Sequence, residues 1–149
     1  MEVKKILCAV DLEDTIAPSV EYAKMMASMT GASILVAYVI PAHTPYEDVY
    51  LSVNNQPNEV NNPNETIQKS MNALLAEQFA GMDATGVILV GRPSEELVKL
   101  AEEKGAKLIV MGTHGRAGFD RLLFGSVAHE VVRAAPCPVM TVRPLMPKK

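Results

Sequence analysis

Residues 6–11 read ILCAVD, a run of five apolar residues that ends at an aspartate. An unbroken apolar run of this length is typical of a strand that is buried on both faces, as the strands of a parallel sheet are. Four more runs of this kind follow, at residues 34–40 (ILVAYVI), 86–91 (GVILVG), 107–111 (KLIVM) and 139–142 (VMTV). The sequence therefore predicts five strands.

Stretches with the apolar spacing of an amphipathic helix separate the predicted strands. They lie at about residues 16–27, 67–78 and 97–101, with a last one from about Ser126, and Gly31 is expected to cap the first. This alternation of strand and helix predicts an α/β fold, a Rossmann-like open parallel five-stranded sheet with helices on both faces.

The length of 149 residues fits a single domain spanning residues 1–149. At that size roughly 68–70% of the unfolded surface can be buried, which is enough for a real core. Residues 41–64 are rich in Asn and Pro and show no periodicity. A loop of that length is usually functional or disordered, and the sequence does not choose between the two.

Charge and composition restrict the partners. The formal net charge of −3 argues against nucleic acid, because proteins that bind it normally present a basic patch. The first apolar run meets Asp11 too soon for a signal peptide, and no run approaches the roughly 18–20 apolar residues of a membrane span. We therefore expect a cytoplasmic protein without a membrane partner. Cys8 and Cys137 are expected to be small buried hydrophobes.

In an open parallel sheet, ligands bind beyond the carboxyl ends of the strands, where the strand order reverses. The segment after the fourth predicted strand, residues 112–126, reads GTHGRAGFDRLLFGS. Gly112 and Gly115 allow the backbone to reach positive φ or to approach a ligand closely. Gly125 and Ser126 lie at the expected start of the last helix, where unpaired N–H groups favour an anion. This pattern predicts a phosphate-binding loop.

Some residues near this loop leave alternatives open. Arg116 and Arg121 could supply countercharge to a phosphate or be solvated loop residues, and His114 could line the pocket. A plain connection with capping residues is the structural alternative for the glycines. Asp11 is expected in the pocket, with a turn or the N-cap of the first helix as its alternative.

The spacing of Gly112, Gly115, Gly125 and Ser126 resembles the glycine pattern of the universal stress proteins that bind nucleotides. The resemblance covers nearly the whole chain, including residues 6–11 and the sequence PCPV at residues 136–139. It implies a sheet with strand order 3-2-1-4-5. It also implies that the ligand is ATP, or ADP or AMP, with Mg²⁺ or Mn²⁺ accompanying the phosphates.

The resemblance also assigns roles within the site. Asp11 would line the nucleoside pocket, main chain at Val39 would contact adenine, and Val127 would lend its N–H to the phosphates. One departure is that Leu12-Glu13-Asp14 follows the acid where many members have Gly-Ser. These extra carboxylates could repel a polyphosphate or hold Mg²⁺ beside it. The full expected ATP site comprises Val10, Asp11, Val39, Met111, Gly112, His114, Gly115, Arg116, Gly125, Ser126 and Val127.

The expected function is that of a regulatory stress-response protein in which bound ATP is a signal. A homodimer formed largely by residues 138–142 is also implied, because an exposed apolar edge strand invites pairing. One alternative is an enzyme, a slow ATPase or an autophosphorylating protein using Ser126 or Thr113. Another alternative is a dimeric scaffold that binds no nucleotide.

Overall fold

The computed structural model describes residues 2–12, 17–41, 63–113 and 121–143. Within these ranges strands and helices alternate, as the sequence predicts. In chain order the elements are β1 (Lys5–Ala9), α1 (Pro18–Thr30), β2 (Ser33–Pro41), α2 (Pro63–Gln78), β3 (Ala84–Gly91), α3 (Pro93–Lys104), β4 (Leu108–Gly112), α4 (Arg121–Ala134) and β5 (Val139–Val142).

The five strands form one parallel sheet in the order β3-β2-β1-β4-β5, so both the predicted topology and the predicted strand order are confirmed. Central strand β1 aligns Cys8 with Val36 of β2 on one side and with Val110 of β4 on the other. At the edge of the sheet, Gly112 of β4 aligns with Val142 of β5. All five strands therefore end at the same edge, which we call the carboxyl edge.

The pleat of the strands divides the core into two layers, because successive side chains point to opposite faces of a sheet. The layer between the sheet and helices α1 and α2, called the α1/α2 layer, includes Ile6, Cys8, Val10, Val20, Ala23, Ala27, Ile34, Val36, Met71, Leu74 and Val110. The opposite layer, called the α3/α4 layer, includes Leu7, Ala9, Leu35, Ala37, Val39, Leu97, Leu100, Ala101, Ile109, Met111, Ala128 and Val131. Helices therefore cover both faces of the sheet.

Glycine ends two of the helices in the expected way. Gly31 follows α1 with φ of 74°, and its N–H donates to the carbonyl oxygen of Ala27 at 2.8 Å. Gly105 follows α3 with φ of 69°. Positive φ is accessible to glycine without the steric cost that a Cβ atom brings, so Gly31 stops α1 where the sequence predicts, and Gly105 stops α3 in the same way.

Two boundaries differ from the sequence-based expectation. Strand β2 extends one residue beyond the predicted run at residues 34–40, because Pro41 aligns with Gly91 of β3 and is the last strand residue. Helix α4 begins at Arg121, more than one turn before the expected start near Ser126. The reason is that residues 121–124, RLLF, are compatible with a helix, and a glycine inside a helix costs only about 1 kcal/mol relative to alanine.

The Asn- and Pro-rich loop expected at residues 41–64 lies almost entirely outside the described residues. Because β2 ends at Pro41 and α2 begins at Pro63, the connection between them consists of residues 42–62. The structure therefore does not choose between a functional and a disordered loop either.

Candidate functional site

The strand order reverses between β1 and β4. The chain leaves β1 through α1 toward β2, and it leaves β4 through α4 toward β5 on the other side. A crevice outside the carboxyl ends of these two strands is where ligands bind in open α/β sheets. Beyond the two strands the backbone remains anchored, because Val10 N–H donates to Ala37 O at 2.9 Å and Thr113 N–H donates to Val142 O at 3.0 Å.

The structure places two of the predicted site residues, Val39 and Met111, on one face of the sheet, and a third, Asp11, directly beyond the end of β1. Met111 is fully buried and Val39 is 8% exposed, and both side chains belong to the α3/α4 layer. Asp11 is half-buried and follows β1 by two residues, after Ala9 of the same layer. A half-buried carboxylate therefore follows the end of β1, between two strands whose apolar side chains are buried in the α3/α4 layer.

Val10 differs from its predicted neighbours. Its side chain lies in the α1/α2 layer, on the opposite face of the sheet from Val39 and Met111. Successive side chains along a strand point to opposite faces of the sheet. Because Ala9 faces the α3/α4 layer, Val10 directly after it faces the α1/α2 layer. At the carboxyl edge Val10 would therefore contribute main chain, and its side chain is part of the core.

Helix α4 packs on the same face of the sheet as Val39 and Met111. Ala128 and Val131 are buried against the sheet, Val127 packs beside them, and Ser126 is exposed. Because α4 begins at Arg121, Ser126 is its sixth residue. Only the first four N–H groups of a helix lack a partner within it, so the expected helix start near Ser126 is wrong, while the roles of Ser126 and Val127 in binding stay predictions.

Several predicted residues lie outside the described part of the chain. These are His114, Gly115 and Arg116 of the loop, together with Glu13 and Asp14 after β1. Their roles stay predictions.

The alternative reading of Asp11, the acid after β1, as the N-cap of α1 is wrong, because α1 begins at Pro18 and its N-cap is Ala17.

A polar cluster that the sequence analysis did not identify joins α3 to α4. Glu130 of α4 accepts a hydrogen bond from Arg92 Nη2 at 2.6 Å on Oε1, and one from Ser94 Oγ at 2.5 Å on Oε2. Ser94 is only 5% exposed. The hydrogen bond from Ser94, followed by that from Arg92, lowers the pKa of the Glu130 carboxyl below its ordinary value. We call Arg92, Ser94 and Glu130 the α3–α4 bridge.

Among the residues described, no group of three or more His, Cys, Asp or Glu side chains is arranged to hold a metal ion. None of the helices within the described ranges is long and apolar enough to cross a membrane.

Comparisons with known proteins give a consistent result. The family model described as the universal stress protein family matches residues 2–143. Universal stress protein MJ0531 of Methanocaldococcus jannaschii is 33% identical, with 98% of this chain and 84% of that protein covered.

Solved structures share the fold. The structure of MJ0577, a universal stress protein of the same organism, matches with a TM-score of 0.74 at 27% identity, and it covers 99% of this chain and 100% of that one. A universal stress protein from Archaeoglobus fulgidus in complex with dAMP matches with a TM-score of 0.57 at 25% identity, with 95% and 98% of the two chains covered.

Proposed function

Because the chain belongs to the universal stress protein family, we propose that it binds an adenine nucleotide, with ATP as the expected ligand, at the carboxyl edge of the sheet. In this proposal the bound nucleotide acts as a signal, so the protein is regulatory, with at most weak ATP hydrolysis. The complex of the Archaeoglobus fulgidus relative with dAMP supports an adenine nucleotide as the ligand class.

The observation that carries the proposal is the set of side chains where the strand order reverses. Val39 and Met111 lie near the carboxyl ends of the strands on either side of β1, with their side chains buried in the same layer, and Asp11 follows β1 between them. Main chain at Val39 would contact adenine, and the Asp11 carboxylate at this kind of edge would accept hydrogen bonds from the ribose hydroxyls. The residues present therefore fit a nucleoside.

The phosphates would be held by the loop between β4 and α4 and by the start of that helix. Gly112, Gly115 and Gly125 allow close approach of the main chain, and the exposed hydroxyl of Ser126 can donate to a phosphate oxygen. Mg²⁺ or Mn²⁺ would accompany the phosphates and neutralise part of their charge.

Substitution of Gly125 tests the position of the phosphates. In Gly125→Val we expect ATP affinity to fall at least tenfold, because the valine side chain occupies space that the phosphates need. The fold should survive, since valine is no worse than glycine inside a helix. Ala134→Val, at the far end of α4, is a matched control and should bind as the wild type does. Calorimetric titration with Mg-ATP provides both values, and equal affinity in Gly125→Val would overturn the site assignment.

Phosphate release separates a signal from turnover. Ser126 is exposed at this edge, so a slow ATPase or autophosphorylation is the second candidate. A regulatory binder releases no more phosphate than Gly125→Val does over hours at saturating ATP. Release well above that variant, and its loss in Ser126→Ala, would favour the enzyme instead.

The position of β5 supports a homodimer. Strand β5 is the last in the sheet, and within the described residues it pairs only with β4. Its edge residues include half-buried Val139 and Met140. Because an unpaired apolar edge is a template for another strand, we expect two copies to associate through residues 138–142. Sedimentation at micromolar concentration should show a species of about twice the 16.1 kDa chain mass, and a monomer alone would contradict this.

A further inference from the structure

The α3–α4 bridge joins the first turn of α3 to the middle of α4. Arg92 is the N-cap of α3 and Ser94 lies in its first turn, directly after the carboxyl end of β3. Glu130 is 38 and 36 residues away from these two in the sequence. One carboxylate therefore holds two helices together at the carboxyl edge, and both of its oxygens are used.

This bridge differs from an ordinary surface ion pair. Arg92 has a second acidic neighbour, Glu95, at 3.7 Å, with side chains that are 58% and 69% exposed. A pair of that kind contributes little, because water competes for both partners. Glu130 is less exposed, at 38%, and also accepts from the buried hydroxyl of Ser94. Removal of Glu130 leaves that hydroxyl without this acceptor in a site with little access to water.

The bridge lies one helical turn from the residues proposed to meet the phosphates. Glu130 is four residues after Ser126 and three after Val127, and residues at these spacings share a face of a helix. A helical side chain leans toward the N-terminus of its helix, so the Glu130 side chain leans toward the turn that contains Ser126 and Val127. Whatever fixes the Glu130 carboxylate therefore also fixes this turn relative to the first turn of α3.

We propose that Glu130 is a positioning residue for the nucleotide site, with Arg92 and Ser94 as the groups that hold it. By setting the spacing between α3 and α4, it keeps Ser126 and Val127 at the carboxyl edge beside the crevice. Glu130 itself does not touch the ligand. This inference rests on the proposed function, because it concerns the geometry of that same nucleotide site.

The test compares four variants with the wild type. Glu130→Ala removes both hydrogen bonds, Glu130→Gln keeps the shape and loses the charge, and the double variant Arg92→Glu with Glu130→Arg reverses the pair. Glu95→Gln is the matched control, since it removes the other acidic neighbour of Arg92. Each protein is titrated calorimetrically with Mg-ATP and melted without nucleotide. Hydrogen exchange of the Ser126 and Val127 amides is followed without nucleotide.

We expect Glu130→Ala to weaken ATP binding about tenfold, which corresponds to about 1.4 kcal/mol, and to speed exchange at Ser126 and Val127. Glu130→Gln should show a smaller loss, the reversed pair should recover at least half of the lost binding free energy, and Glu95→Gln should stay within twofold of the wild type. A merely structural role would lower the melting temperature without changing the affinity of the folded protein.

Two results overturn the inference or its premise, and they are distinct. If the wild type binds ATP and Glu130→Ala binds equally well with unchanged exchange, the positioning role is wrong. If the wild type binds no adenine nucleotide, the proposed function fails. The hydrogen-exchange measurement then decides by itself whether Glu130 holds the turn of α4 that contains Ser126 and Val127.

Discussion

Gly86 lies in β3 beneath α2, and a side chain at this position would collide with that helix. A Cβ atom on Gly86 would be 2.5 Å from Cγ of Met71, 2.9 Å from its Sδ atom and 3.1 Å from Cδ1 of Leu75. Met71 is fully buried. Because protein interiors are close-packed, its side chain has little room to swing aside. Substitution by alanine therefore forces Met71 or the helix above it to shift.

The expected loss of stability follows from two opposing effects. Overpacking of a core by one methyl group typically costs about 1–3 kcal/mol. Replacement of glycine also reduces the entropy of the unfolded chain, which offsets about 0.4–1 kcal/mol. We expect Gly86→Ala to lower the free energy of unfolding by about 1–2 kcal/mol. For a chain of this size that corresponds to a drop in melting temperature of about 3–8 °C.

A double-mutant cycle with Met71→Ala isolates the collision. Met71→Ala alone should cost about 2–5 kcal/mol, and it removes the atoms that Gly86→Ala would strike. The two changes together should therefore cost less than their sum by at least about 0.5 kcal/mol in urea unfolding. Gly105→Ala is the control, because its φ is 69° and a Cβ there meets nothing within 4 Å, so its cost should add to that of Met71→Ala. Strict additivity for Gly86→Ala, or wild-type stability, would refute this reasoning.

The remaining predictions concern titratable groups. The Glu130 pKa is lowered by the Ser94 and Arg92 hydrogen bonds, so the carboxylate contributes stability that is present above the unfolded-state pKa and is lost as pH falls through the lower folded value. Acid unfolding below about pH 4.3 should therefore be less steep in Glu130→Gln than in the wild type, and parallel curves would contradict this. Burial raises the pKa of Cys8 to about 12 and also raises that of half-buried Cys137. In the folded protein at pH 8, iodoacetamide should modify Cys8 far more slowly than Cys137, as followed by mass spectrometry. In denaturant both cysteines should react. Modification of Cys8 before Cys137 in the folded protein would disprove the buried position of Cys8.

Much of the fold could be predicted because its signals are local in the sequence. Each strand is an apolar run, and the bounds of β5, residues 139–142, agree with the expectation. Gly31 and Gly105 stop their helices because glycine reaches positive φ without a steric cost, and glycines can be located in the sequence directly. The start of α4 could not be read in the same way. There the glycine spacing suggested a helix start, but the helix-forming residues 121–124 extend the helix upstream.

The site could be predicted in part. The positions at the strand ends follow from the topology, so Asp11, Val39 and Met111 could be placed near the carboxyl edge in advance, while their roles in binding stay predictions. The Val10 side chain lies on the opposite face of the sheet because of the pleat of the strand. This face could be assigned only once the register of β1 was known. The Glu130 carboxylate pairs with groups on another helix, and no local pattern reports a contact that only packing of α3 against α4 creates.

The most direct test of the account is thermal unfolding of nucleotide-free protein with and without Mg-ATP, with Mg-GTP as the control. Ligand at about one hundred times its Kd stabilises the folded state by about 2.7 kcal/mol, which for this chain is about 5–10 °C. We predict a shift of that size with ATP and none with GTP. No shift at millimolar ATP, or equal shifts with both nucleotides, would contradict an adenine-specific site at the carboxyl edge.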